Sequence, residues 1–86
     1  MKVIVSSALH AYTGRRSSVE AEGRTLGEVM RSLDRSFPGL RFRIVDEQER
    51  IRPHIKFFVN GVQTFDLSSS VAPSDEVAII QAFSGG

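Results

Sequence analysis

The stretch Thr25-Leu26-Gly27-Glu28-Val29-Met30-Arg31-Ser32-Leu33-Asp34-Arg35-Ser36-Phe37-Pro38-Gly39 decides the fold. Leu26, Val29, Met30, Leu33 and Phe37 recur at helical spacing and make one apolar stripe. Arg31, Ser32, Asp34 and Arg35 lie off it. Thr25 and Glu28 have the spacing of a capping box: the hydroxyl caps the amide near Glu28, and the carboxylate reaches back. Gly27 weakens the helix by up to about 1 kcal/mol against alanine. Pro38 cannot continue the helix and disfavours helical angles at Phe37.

Strands flank the helix on both sides. Residues 2–8 are rich in β-branched side chains and alternate little, which predicts a central strand. Tyr12-Thr13-Gly14 reads as a turn. Residues 16–22 alternate, with Val19 and Ala21 on one face, and form a hairpin with the first strand. Beyond the helix, Leu40, Phe42 and Ile44 alternate with Arg41 and Arg43, as a short strand or an extended crossover. Residues 46–50 are a polar loop. Residues 54–59 read as a strong strand, with Ile55, Phe57 and Val59 facing one way and His54, Lys56 and Phe58 the other. Asn60-Gly61 signals a type I′ hairpin turn, and residues 62–65 return from it. Ser68-Ser69-Ser70 is a loop, and Pro73-Ser74-Asp75 turns the chain into an apolar last strand over 77–83. One amphipathic helix across one face of a single sheet makes a two-layer α+β domain, predicted over residues 1–86.

Composition narrows the function. Eighty-six residues suffice for one core. No apolar run approaches the ~20 residues of a membrane span, and the first residues read as a strand, not a signal peptide. Cysteine is absent, which excludes disulfides, iron–sulfur ligation and thiol nucleophiles, and fits the cytoplasm. With two histidines and no cysteine, no metal site is assigned. The net charge of +1 supplies no global field for nucleic acid. Arg41, Phe42, Arg43, Arg50 and Arg52 could stack on bases, but Asp46, Glu47 and Glu49 among them cancel the field. No nucleic-acid or membrane partner is expected.

The last strand runs into Ser84-Gly85-Gly86. Glycines lack Cβ atoms and can thread a cleft closed to bulkier residues. A terminal carboxylate, with a pKa near about 3.5, is ionised at neutral pH. Residues 84–86 would reach roughly 10 Å past the strand. By itself such an end is no more than a common frayed terminus.

The order of pieces gives it more weight. Thr25-Leu26-Gly27-Glu28-Val29, Phe37-Pro38-Gly39-Leu40, Phe58-Val59-Asn60-Gly61, Ser74-Asp75-Glu76-Val77 and Gly85-Gly86 together resemble the MoaD/ThiS family of sulfur carriers, over essentially the whole chain. The length of residues 40–53 looks most like the branch that includes carriers for cysteine biosynthesis. The family often has a proline where Gln81 stands, and smaller apolar residues in place of Phe83-Ser84. The resemblance implies a ubiquitin-like β-grasp fold, a mixed sheet of four to five strands with one helix across one face.

It also implies a function. An E1-like adenylating enzyme, using ATP and magnesium, would activate Gly86. A sulfur donor would convert it to a thiocarboxylate, and a sulfur-acceptor enzyme would receive the sulfur. Ser84 and Gly85 would be flexible tail. The protein itself would be no enzyme, would bind no cofactor or metal, and would be a monomer or weak oligomer. Alternatives are the small subunit of a molybdopterin synthase and a ubiquitin-like modifier joined to lysines. In the implied strand order, Ile4, Phe58 and Ile80 face away from the helix, with Ala82 and Phe83 nearer the tail. These five are the expected partner-binding residues, with Phe58 and Ile80 forming an exposed apolar patch. Val3, Val5, Ile55, Phe57, Val59, Val77 and Ile79 would face the helix. His10 and His54 read as surface residues, and Asp75-Glu76 as the shapers of the last turn.

Overall fold

The computed structural model describes residues 1–82. The strands are β1 (Lys2–Val5), β2 (Ser18–Glu20), β3 (Ile55–Val59), β4 (Val62–Thr64) and β5 (Glu76–Gln81). The helices are α1 (Leu26–Ser36) and α2 (Leu40–Ile44). The sheet order is β2-β1-β5-β3-β4. β1 and β5 are parallel, and the other neighbours are antiparallel. This mixed five-stranded sheet with α1 on one face is the ubiquitin-like β-grasp, and its last strand is its middle one.

Register carries the alternation of apolar residues across the sheet. Val3 pairs with Val77 and Val77 with Val59; Val5 pairs with Ile79 and Ile79 with Phe57. These two rows face α1. Val3, Phe57, Val77 and Ile79 are fully buried, as are Leu26, Val29, Met30 and Leu33 of the helix. Each fully buried side chain of this kind contributes about 1.5–3 kcal/mol. A one-residue slip of β5 would turn both rows outward, so the register is strongly fixed. Phe37, the last residue of the stripe, is half-buried against the core.

The start of α1 is tied down on three sides. Thr25 Oγ1 accepts from the Glu28 amide at 3.2 Å, and Glu28 Oε1 accepts from the Arg24 amide at 3.0 Å. The carboxylate thus reaches one residue further back than a standard capping box. The Leu26 and Gly27 amides, which have no partner within a helix, donate to the carbonyls of Ser69 and Leu67 at 3.1 and 2.8 Å. A Cβ on Gly27 would sit 3.4 Å from the Leu67 carbonyl oxygen, an ordinary contact, so the loop packs closely on this turn. The hairpin turn is as expected: Asn60 and Gly61 have φ of 50° and 83°, the type I′ signature.

Three elements differ from the sequence reading. The first strand stops at Val5, and Ser7–Tyr12 form a 3-10 helix that buries Leu9. The Ser6 amide still bonds the Ile79 carbonyl, but the Leu9 amide turns back to the Ser6 carbonyl. The second strand is shorter than expected, at Ser18–Glu20. Residues 40–44 are a helix, neither strand nor extended crossover. The alternation of Leu40, Phe42 and Ile44 matches a strand, yet Leu40 and Ile44 are fully buried while Phe42 is 61% exposed. The pair that matters is four apart, one helical turn. Gly39 with φ 96° aims the chain into α2, and Asp34 Oδ1 accepts from the Gly39 and Arg41 amides at 3.1 and 3.2 Å.

Candidate docking face at the root of the tail

β5 lies between β1 and β3 and is held on both sides to its end. The Gln81 amide donates to Ser6 Oγ at 3.0 Å, and the Ala82 amide to the His54 carbonyl at 2.7 Å. The chain is therefore anchored through Ala82. Phe83, Ser84, Gly85 and Gly86, expected as a partner contact, tail and reactive end, lie outside the described residues.

The face away from α1 brings the other predicted residues together. Ile4 pairs with Ala78 and Ala78 with Phe58, one row across three strands. Ile80 stands opposite Lys56 in the next outward row. Ile4, Phe58, Ile80 and Ala82 are all half-buried, as is Ala78, which the sequence reading left out. Phe58 and Ile80 are therefore not the exposed apolar patch that the sequence predicts. The large apolar groups that stand out are elsewhere: Phe42, Val62 at 68% and Phe65 at 77% exposure. Phe42 was hidden by the strand reading of its segment; the four-residue spacing of Leu40 and Ile44 is the signal that would have exposed it.

Cations gather where β5 ends. A cleft of about 240 Å³ there is lined by Arg43, Arg52 and His54 together with Gln81 and Ala82. Gln81 Oε1 is buried without a hydrogen-bond partner among the described residues. Arg41 is paired with Glu49, and Arg50 Nε with Asp46 at 3.6 Å. The backbone amides of Arg50 and Gln48 and the nearby Arg50 and Arg52 charges hold the Asp46 carboxyl below its ordinary value. Arg52 lies over the Phe42 ring, 4.6 Å from its centroid, and its Nε donates to the Phe42 carbonyl at 2.6 Å.

The opposite end of β5 is clamped by Asn60 and Asp75. Asn60 Nδ2 donates to Asp75 Oδ1 at 3.0 Å, and Asn60 Oδ1 accepts from the Glu76 amide at 2.9 Å. Asp75 Oδ2 accepts from the Ala72 amide at 2.8 Å. These bonds lower the Asp75 pKa, the Ala72 amide most. Asp75 thus shapes the turn into β5, as the sequence indicates. His54 is exposed, and His10 Nε2 lies 2.9 Å from the Val5 carbonyl oxygen. Among the described residues, no group of three or more side chains is arranged to hold a metal ion, and no helix is long and apolar enough to cross a membrane.

A β-grasp domain with its middle strand leading to the chain end is the frame of the ubiquitin-like carriers. The ThiS family model matches residues 3–86. The sulfur carrier protein CysO of Mycobacterium tuberculosis is 30% identical over 89 residues, covering 98% of this chain and 96% of that protein. A crystal structure of the Amycolatopsis orientalis BexX/CysO complex contains a chain with TM-score 0.90 and 30% identity, covering 99% and 98% of the two chains. The small archaeal modifier SAMP1 of Haloferax volcanii superposes with TM-score 0.80 at 27% identity, covering 100% and 98%. The chain belongs to the ThiS family. Its CysO relatives agree with the likeness to the cysteine-biosynthesis branch.

Proposed function

We propose that this protein is a sulfur carrier that works through the carboxylate of Gly86 and supplies sulfur for cysteine biosynthesis. The observation that carries the reading is the path of β5. The middle strand, bonded to both neighbours, delivers the chain to Ala82 at one end of the sheet. A rigid body thereby presents a slim end to another protein's active site.

The chemistry needs a partner because a carboxylate is a poor electrophile. In an E1-like enzyme a Gly86 oxygen attacks the α-phosphorus of ATP, pyrophosphate leaves with magnesium, and an acyl-adenylate forms. A sulfide equivalent then attacks the acyl carbon, AMP leaves, and the thiocarboxylate remains. A second enzyme takes the sulfur. The carrier contributes geometry and acts in the cytoplasm. The Amycolatopsis CysO in complex with BexX supports a role that depends on docking to another protein.

Mass spectrometry of the intact protein from its own cells tests the reading. Sulfur in place of one oxygen at Gly86 is the expected result. Removal of Gly86 abolishes carrier-dependent ATP–pyrophosphate exchange and leaves the melting temperature unchanged. A truncated protein that still sustains sulfur transfer would overturn it. The likeness to SAMP1 supports a second reading, a modifier whose activated Gly86 ends on a lysine. Gly86–lysine branched peptides in a cell digest would favour that one.

A further inference from the structure

Charge is distributed unevenly along the sheet. At the end far from the tail, cations are neutralised: the Met1 amino group lies 3.5 Å from Glu20, and Lys2 Nζ 3.9 Å from Glu76. At the tail end they are in excess. Residues 41–56 hold Arg41, Arg43, Arg50, Arg52 and Lys56 against Asp46, Glu47 and Glu49. Two of those arginines are spent on local pairs. Arg43, Arg52 and Lys56 have no ion-pair partner among the described residues.

Their placement is specific. Arg43 and Arg52 share a cleft with Gln81 and Ala82, the last two residues before the tail. Lys56 stands opposite Ile80 on the outward face, beside the row of Ile4, Ala78 and Phe58. Any enzyme that receives the chain beyond Ala82 must lie against this cationic wall. We propose that Arg43, Arg52 and Lys56 form the rim of the docking surface and engage an acidic strip at the mouth of the enzyme that adenylates Gly86; this rests on the carrier reading above. Rim charges of opposite sign steer association and fix orientation. Nucleic acid fits less well. The whole chain carries only +1.

The test uses the full-length protein with the adenylating enzyme purified from the same cells by its carrier-dependent ATP–pyrophosphate exchange. Arg43→Glu combined with Lys56→Glu changes two exposed side chains. It raises the KM for the carrier about tenfold or more with kcat unchanged. Raising the salt lowers kcat/KM for the unaltered protein and much less for the variant. Circular dichroism shows both folded, and the milder Arg43→Gln moves KM in the same direction. Glu22→Lys, an exposed change outside the wall, leaves KM within twofold. Equal KM for the double variant, or an equal effect of Glu22→Lys, overturns the docking proposal and leaves the carrier reading standing. An unaltered protein that no enzyme adenylates overturns both. Single-stranded RNA bound tightly by the unaltered protein and lost in Arg43→Glu, with exchange untouched, would assign the wall to nucleic acid instead.

Discussion

Asn60 offers a prediction whose parts can be separated. Its side chain makes two hydrogen bonds across to β5, to Asp75 Oδ1 and from the Glu76 amide. Both are exposed, so each is worth the low end of the usual range, about 0.5–1 kcal/mol. Its backbone has φ 50°, where alanine pays about 1 kcal/mol or more and glycine pays nothing. Asn60→Gly should then cost about 1–2 kcal/mol and Asn60→Ala about 2–3 kcal/mol. For a domain of this size, the alanine variant should melt about 10–20 °C lower. Urea unfolding followed by circular dichroism gives the free energies. A cycle with Asp75→Ala isolates the side-chain pair and should show coupling of about 0.5–1 kcal/mol. Glycine and alanine variants of equal stability would refute the backbone argument. Zero coupling with Asp75 would refute the clamp.

Other substitutions probe other parts. Gly23→Ala should lose about 1–3 kcal/mol by the same unfolding measurement, because its Cβ would lie 2.7 Å from the Val29 nitrogen and 2.9 Å from the Glu28 carbonyl carbon, both helix backbone. Phe58→Asp should keep the fold with a drop of a few degrees but raise the KM of adenylation, since Phe58 is half-buried on the outward face; Phe57→Ala, at a fully buried position, should lose about 3–5 kcal/mol. Asp46, Asp66 and Asp75 all have pKa values below the ordinary 3.8 because amide and hydroxyl donors hold them charged. Their contribution is present above pH 3.8 and is lost as the pH falls through the lower folded values. Melting temperature should therefore be flat through the neutral range and fall in acid below that point, more shallowly in Asp75→Ala.

The amphipathic stripe, the Asn-Gly turn and the two faces of the strands were legible because each rests on local chemistry or simple parity. Alternation alone separated Phe57 from Phe58; the strand order implied by the resemblance to the sulfur carriers put Val3 and Ile79 inward and Ile4 and Ile80 outward, and the register aligns them in that way. Residues 40–44 were not legible, because Leu40, Phe42 and Ile44 satisfy a period of two and a spacing of four equally well. Only the surface offered by α1 and the sheet decides between them. Ser7 and Ala8 were misread for a similar reason: a small apolar residue after a strand looks like more strand, whereas the chain turns at Ser6 and buries Leu9 from a new direction. Arg43 and Arg52 stood out in the sequence as possible base-stacking residues, but their meeting with Lys56 at the end of β5 was not legible, because the three are separated in the chain and lie among acids of which only Asp46 and Glu49 are paired off, with Arg50 and Arg41.

The position of β5 also has a mechanical meaning. On the carrier reading proposed above, an enzyme that draws in the chain end would pull along β5, and that strand is bonded on one side to β1 and on the other to β3. Force along the strand shears both ladders together, so their hydrogen bonds share the load instead of parting one after another. An edge strand such as β4 in the same role could be peeled away bond by bond. If the carrier reading holds, this placement would let the domain resist a pull on its end each time it leaves a partner.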